Sequence, residues 1–435
     1  MSALSSFRRR LMAGAYPKEQ PNYLCFTALE SGTFSFTIGT NISTRYYSYV
    51  EYSTDNCVTW VKTNNVDSTQ IVVTTPTVAA GDKVYWRGSG IYVSNYFNNN
   101  RFSQFSSTGK FDASGNIASL CGLNNFDTWE VTATECQFAW LFSGTQVVDA
   151  GDLILPKFTK DRPYYHCFEN CTELLVMPDI PNQDTLYSES FIAMFWGCSK
   201  LVSAKSLPAT TLASGCYSSM FYGCSSLTTP PLLQATVMES SCYLQMFYNC
   251  ISLTSAPALN STSLASNCYR GMFSGCISLT TAPTLPATTL AERCYQGMFS
   301  GCKSLTTAPL LPATTLTPYC YNSMFQGCTS LSGTFILPAT TAVTQCYANM
   351  LRCNPTYIKM LLIDLGSTNA LSNWLYGVAN ESSRIIVKHI DAVWTTTGNS
   401  GVPTNWTVIY YDPTLDKYYL DQQRQTECDD HGNPI

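Results

Sequence analysis

Charge is scarce in this chain. Asp, Glu, Lys and Arg make up 12% of its 435 residues, about half the usual share, and the formal net charge is −5. Phosphate backbones are held by basic stripes, so nucleic acid is not an expected partner. No run of 18 or more apolar residues occurs, so no membrane span is expected. Met1–Gln20 contains Arg8-Arg9-Arg10 with no apolar stretch behind them, and no secretory signal is read there. The three histidines, His166, His389 and His431, form no spaced cluster. His166 is adjacent to Cys167, and neighbouring side chains point differently, which argues against a dyad. From Cys198 to Asn354 there is no Asp and no His; Glu239 and Glu292 stand 53 residues apart and read as solvated surface charges, not as the paired carboxylates of a glycosidase. Phosphate-binding Gly-rich loops and nucleophile elbows are also missing. These gaps lead us to expect no catalytic residue, no metal and no cofactor.

What the chain does have is cysteine, 20 residues of it, in fixed columns. Cys216, Cys242, Cys268, Cys294, Cys320 and Cys346 are each 26 residues apart, and Cys198, Cys224, Cys250, Cys276, Cys302 and Cys328 keep the same step. Such a period means a solenoid, a propeller or an array. Leu285–Leu310 is the cleanest unit. Within it Leu290, Cys294, Met298, Phe299 and Cys302 have the spacing of an apolar stripe, which predicts a helix of about three turns. Gly301 and its equivalents Gly144, Asn170, Gly197, Gly223, Asn249, Gly275 and Gly327 are all Gly or Asn, the residues that enter the left-handed region cheaply, and the column reads as a helix C-cap. Ser304–Ala308 is a short β-type run closed by Pro309. One unit cannot bury its apolar face alone, but stacked units share a core. Equivalent cysteines then form columns of small buried side chains. Cys294 and Cys302 lie two helical turns apart, about 12 Å, too far for a bridge, so reduced thiols are expected. This periodicity also explains Cys167-x3-Cys171 without a metal, and tail composition explains Cys428–His431.

Phe-x-Gly-Cys-x-Ser-Leu-Thr, as in Phe221–Thr228, Phe273–Thr280 and Phe299–Thr306, resembles the BspA-like (Treponema-type) leucine-rich repeat. The Leu-Pro-Ala-Thr-Thr-Leu connector is similar to a variant found in gut bacteria and their phages. The resemblance covers roughly Cys136–Asn354. It implies an α/β leucine-rich-repeat solenoid with a parallel sheet on one face, and a surface protein that binds host or neighbouring-cell ligands. It also implies variable strand-side positions, here Thr228, Thr254, Thr280 and Thr306 with their neighbours. These form a hydroxyl ladder, readable as a ligand face or as a solvated edge.

The ends have a different character. Residues 1–22 form a short basic and apolar arm, either frayed or a docking arm for other virion proteins. Residues 23–111 carry alternating segments at Thr33–Ile38 and Val58–Trp60 and further strand candidates at Tyr46–Tyr52, Ile71–Val73 and Val84–Trp86, which predict an immunoglobulin-like β-sandwich. Its aromatics, Tyr46, Tyr47, Tyr49, Tyr92, Tyr96 and Phe97, are either a sugar-stacking surface or packing residues. Residues 112–356 are read as the solenoid with its N-terminal cap, starting with a degenerate repeat in which Thr145 takes the cysteine position. Residues 357–435 are read as a C-terminal capping region, opened by an amphipathic helix over Tyr357–Gly366, and a tail that is either ordered or loose. The leading expectation is a non-enzymatic structural and adhesive protein of a phage virion (fibre, tail or capsid-decorating component) that meets a bacterial surface glycan or protein. The alternative is a bacterial cell-surface BspA-like adhesin. A homo-oligomer, such as a trimer, is expected from the resemblance alone.

Overall fold

The structure, a computed structural model, describes residues 22–38, 49–62, 71–89, 103–121, 138–366, 369–378 and 383–435. Nine strands belong to the N-terminal part: β1 (Leu24–Ala28), β2 (Phe34–Ile38), β3 (Tyr49–Ser53), β4 (Val61–Lys62), β5 (Ile71–Thr74), β6 (Lys83–Ser89), β7 (Gln104–Ser107), β8 (Phe111–Asn116) and β9 (Val147–Ile154). They make one sheet in the order β4-β3-β6-β1-β8-β9 and a second in the order β5-β2-β7. The two inner faces meet through aromatic rings. Phe26 of β1 lies 5.3 Å from Phe34 and 4.8 Å from Phe105, and Trp86 lies 5.1 Å from Phe105. Alternation predicts this directly in β2, where Phe34, Phe36 and Ile38 are buried and Ser35 and Thr37 are half-buried. The strand expected at Val58–Trp60 is instead a loop. Asp55 accepts the hydroxyls of Ser53 and Thr59 and the Thr59 amide, and this local bonding outcompetes a ladder.

β9 joins the two halves of the molecule. It pairs in parallel with β8, and its Asp149 bridges in parallel to Val176 of the first coils. The sandwich sheet therefore runs into the solenoid ladder and covers its open end. Lys110 reinforces the join, reaching Glu30 at 3.3 Å and Glu173 at 3.4 Å, while Lys200 also holds Glu173.

The repeats stack as coils, as the period requires, but among the described residues there is no α-helix, so the expected helical stripe is corrected. Each stripe is a ribbon of overlapping turns. In residues 265–276 the amides of Cys268, Arg270, Met272, Ser274 and Cys276 bond three residues back, to Ala265, Asn267, Tyr269, Gly271 and Phe273. The intervening amides of Asn267, Tyr269, Gly271, Phe273 and Gly275 instead donate to the next coil, at Glu292, Cys294, Gln296, Met298 and Ser300. Every fourth residue is left-handed: φ is 59° at Asn267, 61° at Gly271 and 77° at Gly275. The repeat is thus four residues, not 3.6, and it buries the pairs Cys268–Tyr269 and Met272–Phe273 and then Cys276. Left-handed backbone costs an L-residue about 1–2 kcal/mol. Each fully buried large side chain returns about 1.5–3 kcal/mol, and Tyr269, Met272, Phe273 and Leu279 are all buried in one coil. Burial wins, and the ribbon is built from Ser, Asn, Gly, Cys and Tyr, which are weak helix formers. The Gly301 column is left-handed as expected, but it ends no helix.

The remaining sides of each coil are extended. β10 (Thr211–Leu212) pairs in parallel with β11 (Val237–Met238), the single bridges Thr185↔Thr211 and Ser263↔Thr289 continue that ladder, and Ser203↔Thr229, Ser255↔Thr281 and Thr281↔Thr307 form a second one on another side. Towards the C-terminus the bridges lengthen into a sheet: β12 (Ser332–Leu337), β13 (Asn354–Met360), β14 (Ile385–His389) and β15 (Thr407–Asp412) are parallel neighbours. The amphipathic helix expected over Tyr357–Gly366 is corrected by β13. Its buried positions are Pro355, Ile358 and Met360, and the exposed edge of β12 captures it. β16 (Lys417–Tyr419) and β17 (Glu427–Cys428) then turn antiparallel and close the far end, so the tail is ordered. Among the described residues no helix is long and apolar enough to cross a membrane.

Candidate ligand-binding face

Thr228, Thr254, Thr280 and Thr306 stand one above another on an extended side of the coils, and all are exposed. The ladder places them there: the amides of Thr228, Thr280 and Thr306 donate to Val202, Thr254 and Thr280 of the preceding coils. Two of the hydroxyls are fixed in the same way. Thr228 Oγ1 donates to the Val202 carbonyl and Thr280 Oγ1 to the Thr254 carbonyl, both at 3.2 Å. Thr229, Ser255, Thr281 and Thr307 form a second exposed column beside the first. A second band lies eight residues on: Thr210, Thr236, Thr262, Thr288, Thr314 and Thr340 are all exposed. Its signal, the same step of 26, was available in the sequence but passed as connector. Both bands are uncharged and offer hydroxyl oxygens and methyl groups at a fixed rise.

The aromatic candidates do not join this face. Tyr46, Tyr47, Tyr92, Tyr96 and Phe97 lie outside the described residues. Tyr49 is half-buried in β3, with the Lys62 ammonium 4.0 Å above its ring, and belongs to the N-terminal sheet.

Three columns of rings run along the ribbon. Tyr217, Tyr243, Tyr269, Tyr295, Tyr321 and Tyr347 stack within the core at 5.8–5.9 Å. Phe221, Phe247, Phe273, Phe299 and Phe325 do so at 5.6–5.8 Å. The third column is half-buried, with Trp196 4.0 Å from Tyr222 and Tyr222 4.6 Å from Tyr248. It stops there, because Ser274 and Ser300 follow at the next two steps. That interruption hid the column from sequence reasoning.

Among the described residues no disulfide joins the cysteines. Along one column each thiol donates to a phenylalanine carbonyl of the preceding coil, from Cys171 to Phe142 at 3.0 Å through Cys328 to Phe299 at 3.0 Å. Thr145 takes the cysteine place at the start, donating to Phe142 and lying 3.6 Å from Cys171 Sγ. Desolvation pushes the thiols up, Cys276 and Cys328 to about 12, so they are poor nucleophiles.

Several of the remaining ionisable groups are held in local pairs. His166 Nδ1 lies 2.9 Å from Glu169, which also accepts the Trp140 indole N–H. The hydrogen bond from His166 and the nearby imidazole hold the Glu169 carboxyl below its usual range. Glu239 and Glu292 are exposed, and Arg293 pairs with Glu292. Asp429, Asp430 and His431 bring their ligand atoms within 4.8 Å of one another. Asp429 is already engaged, accepting the His431 amide and both the amide and side-chain nitrogen of Asn433. That is the bonding of a tight turn.

Comparison with family models, with curated proteins and with solved structures returns no match.

Proposed function

We propose that the protein is a non-enzymatic structural and adhesive component of a bacteriophage virion, a fibre, tail or decorating element, whose solenoid contacts a bacterial surface glycan or protein. The observation that carries this reading is the pair of uncharged hydroxyl bands, repeated coil after coil on a rigid ladder. Such a surface suits neutral, hydroxyl-rich polymers, and Thr228, Thr254, Thr280 and Thr306 are its proposed contacts. In this reading the coils are a variant of the BspA-like leucine-rich repeat and the N-terminal sandwich is an immunoglobulin-like module. Residues 1–22 dock to other virion proteins, and the particle-bound form is an oligomer.

The thiols favour a virion over the alternative, a bacterial cell-surface BspA-like adhesin. A chain dense in unbridged cysteines suits folding in a reducing cytoplasm, where particles are assembled, better than passage through an oxidising exterior. Mass spectrometry of purified particles tests the assignment: the chain copurifies with capsid or tail proteins if the reading holds, and is found only on cell envelopes if the alternative does.

A further inference from the structure

The half-buried ring column ends in a gap. Trp196, Tyr222 and Tyr248 occupy one position in three successive coils, and Ser274 and Ser300 occupy it in the next two. One face of Tyr248 lies against Tyr222, with the planes 8° apart. Its other face looks along the axis over Ser274, which has no ring to cover it. The same two coils are stripped at the neighbouring columns. Gly271 and Gly297 stand where other coils carry Ala193, Ser219, Gln245, Ser323 and Asn349. Left-handed backbone does not require glycine there, because those five residues hold φ between 50° and 57°. Gly275 and Gly301 complete the strip. A Cβ on Gly297 would meet nothing within 4 Å, and one on Gly301 only the Gly275 main chain at 3.7 and 3.8 Å, whereas Gly271 and Gly275 are covered by the side chains of Gln245 and Asn249, at 3.2 and 2.1 Å from a Cβ placed there. The result is a trough over Ser274 and the Gly297–Gly301 coil, narrowed at the Ser274 level by the Gln245 and Asn249 side chains that lie over Gly271 and Gly275. Tyr248, Gln245 and Asn249 wall one side and Gln326 the other.

We propose that this trough is a sugar subsite, in which a pyranose ring stacks on the bare face of Tyr248 above the floor of Ser274, Gly297, Ser300 and Gly301, between the Gln245 and Asn249 side chains. The proposal rests on the glycan-binding reading above and names where a single ring is held. A pyranose presents axial C–H groups of slight positive charge, which match the negative face of an aromatic ring. Its hydroxyls need partners at the edges. The amides of Gln245, Asn249 and Gln326 and the hydroxyl of Ser274 supply them, and exposed Arg270 borders the trough. A sugar placed there continues the ring column by one step.

The test is binding of the full chain to immobilised neutral oligosaccharides of glucose, galactose and N-acetylglucosamine, compared with Ser274→Tyr. That substitution adds the ring native to this column at 222 and 248, so it fills the trough without a foreign residue. We expect the wild type to bind at least one probe, and the variant to lose tenfold or more with its thermal midpoint kept. Should Ser274→Tyr fail to fold, Ser300→Gln places the residue this column carries at 326 and serves the same purpose. Equal binding by wild type and variants overturns the trough but leaves glycan binding to the hydroxyl bands. No binding of any probe overturns both. Binding of a tryptophan-containing peptide instead of a sugar, with the same sensitivity to Ser274→Tyr, overturns the sugar class.

Discussion

The thiol of Cys302 donates to the main-chain oxygen of Phe273, 3.1 Å away in the preceding coil. That oxygen also accepts the amide of Cys276, so the thiol donates to the carbonyl's second lone pair and ties one coil to the next. Cysteine suits the position because it is small, apolar enough to bury, and still a weak donor. Cys302→Ala is expected to cost about 1–2 kcal/mol, from the lost bond and the void left by sulfur. Cys302→Ser, which keeps the donor, should cost less; urea denaturation of the two variants checks the order.

Thiol reactivity should separate by burial. With Cys276 and Cys328 pushed to about 12, thiolate at pH 8 is about one part in ten thousand. A disulfide reagent at that pH is expected to label the half-buried Cys57 and Cys121 first, and the columns only as urea unfolds the chain. Rapid labelling of the column cysteines in the native protein would contradict the packing described.

Gly275 and Asn249 form a matched pair. A Cβ on Gly275 would come within 2.1 Å of the Asn249 Oδ1, and its φ is +77°. Gly301 has nearly the same φ but meets only glycine main chain. Gly275→Ala should therefore destabilise by more than the roughly 1–2 kcal/mol of left-handed strain alone, and Gly301→Ala by about that strain. Adding Asn249→Gly to Gly275→Ala should recover the difference, read from urea midpoints of the three variants.

Among the buried tyrosines, Tyr164 donates its hydroxyl to the Pro156 carbonyl, whereas the hydroxyls of Tyr217, Tyr321 and Tyr347 have no protein partner. Removing an unpaired buried hydroxyl relieves a desolvation cost. Tyr321→Phe is expected to be neutral or stabilising, and Tyr164→Phe to cost about 1 kcal/mol. Thermal melts of the two variants distinguish them.

Lys388 is buried, donates to the Trp394 carbonyl at 2.6 Å and lies 4.1 Å from the Trp394 ring. Desolvation lowers its pKa in the folded state below the unfolded value. Protonation thus opposes folding below the unfolded pKa, and the penalty fades as pH rises through the folded value towards 10.5. The stability of wild type relative to Lys388→Met should accordingly increase between pH 7 and pH 10, as followed by urea midpoints across that range.

The sequence made the stacking plain, because the cysteine columns mark the coils from Cys198 to Cys346 with a constant step of 26. It misled on the ribbon. Apolar residues four apart fit both a helix and a four-residue turn repeat, and over three turns the difference between 3.6 and 4 is small. The deciding residues are the left-handed positions at 293 and 297, and their columns hold Arg, Tyr, Gln, Ser and Gly with no shared type. Only the third column, at 301, was selective enough to read. Ile358 shows the same ambiguity, since three apolar residues beside it suit a helix until β12 offers an edge. The trough was invisible for another reason: it consists of side chains that are absent, and their absence has meaning only against the coils on either side.

Because each coil bonds to the next through the same alternate amides, the main-chain junctions in the regular stretch are all of one kind. Duplication or loss of one 26-residue unit there would create no new kind of main-chain contact, and would change the reach of the molecule by a single rise of about 4.8 Å. The two ends would be carried apart or together unchanged. Length in this protein is thus a quantity that recombination can adjust in whole steps, independently of the structure at either end.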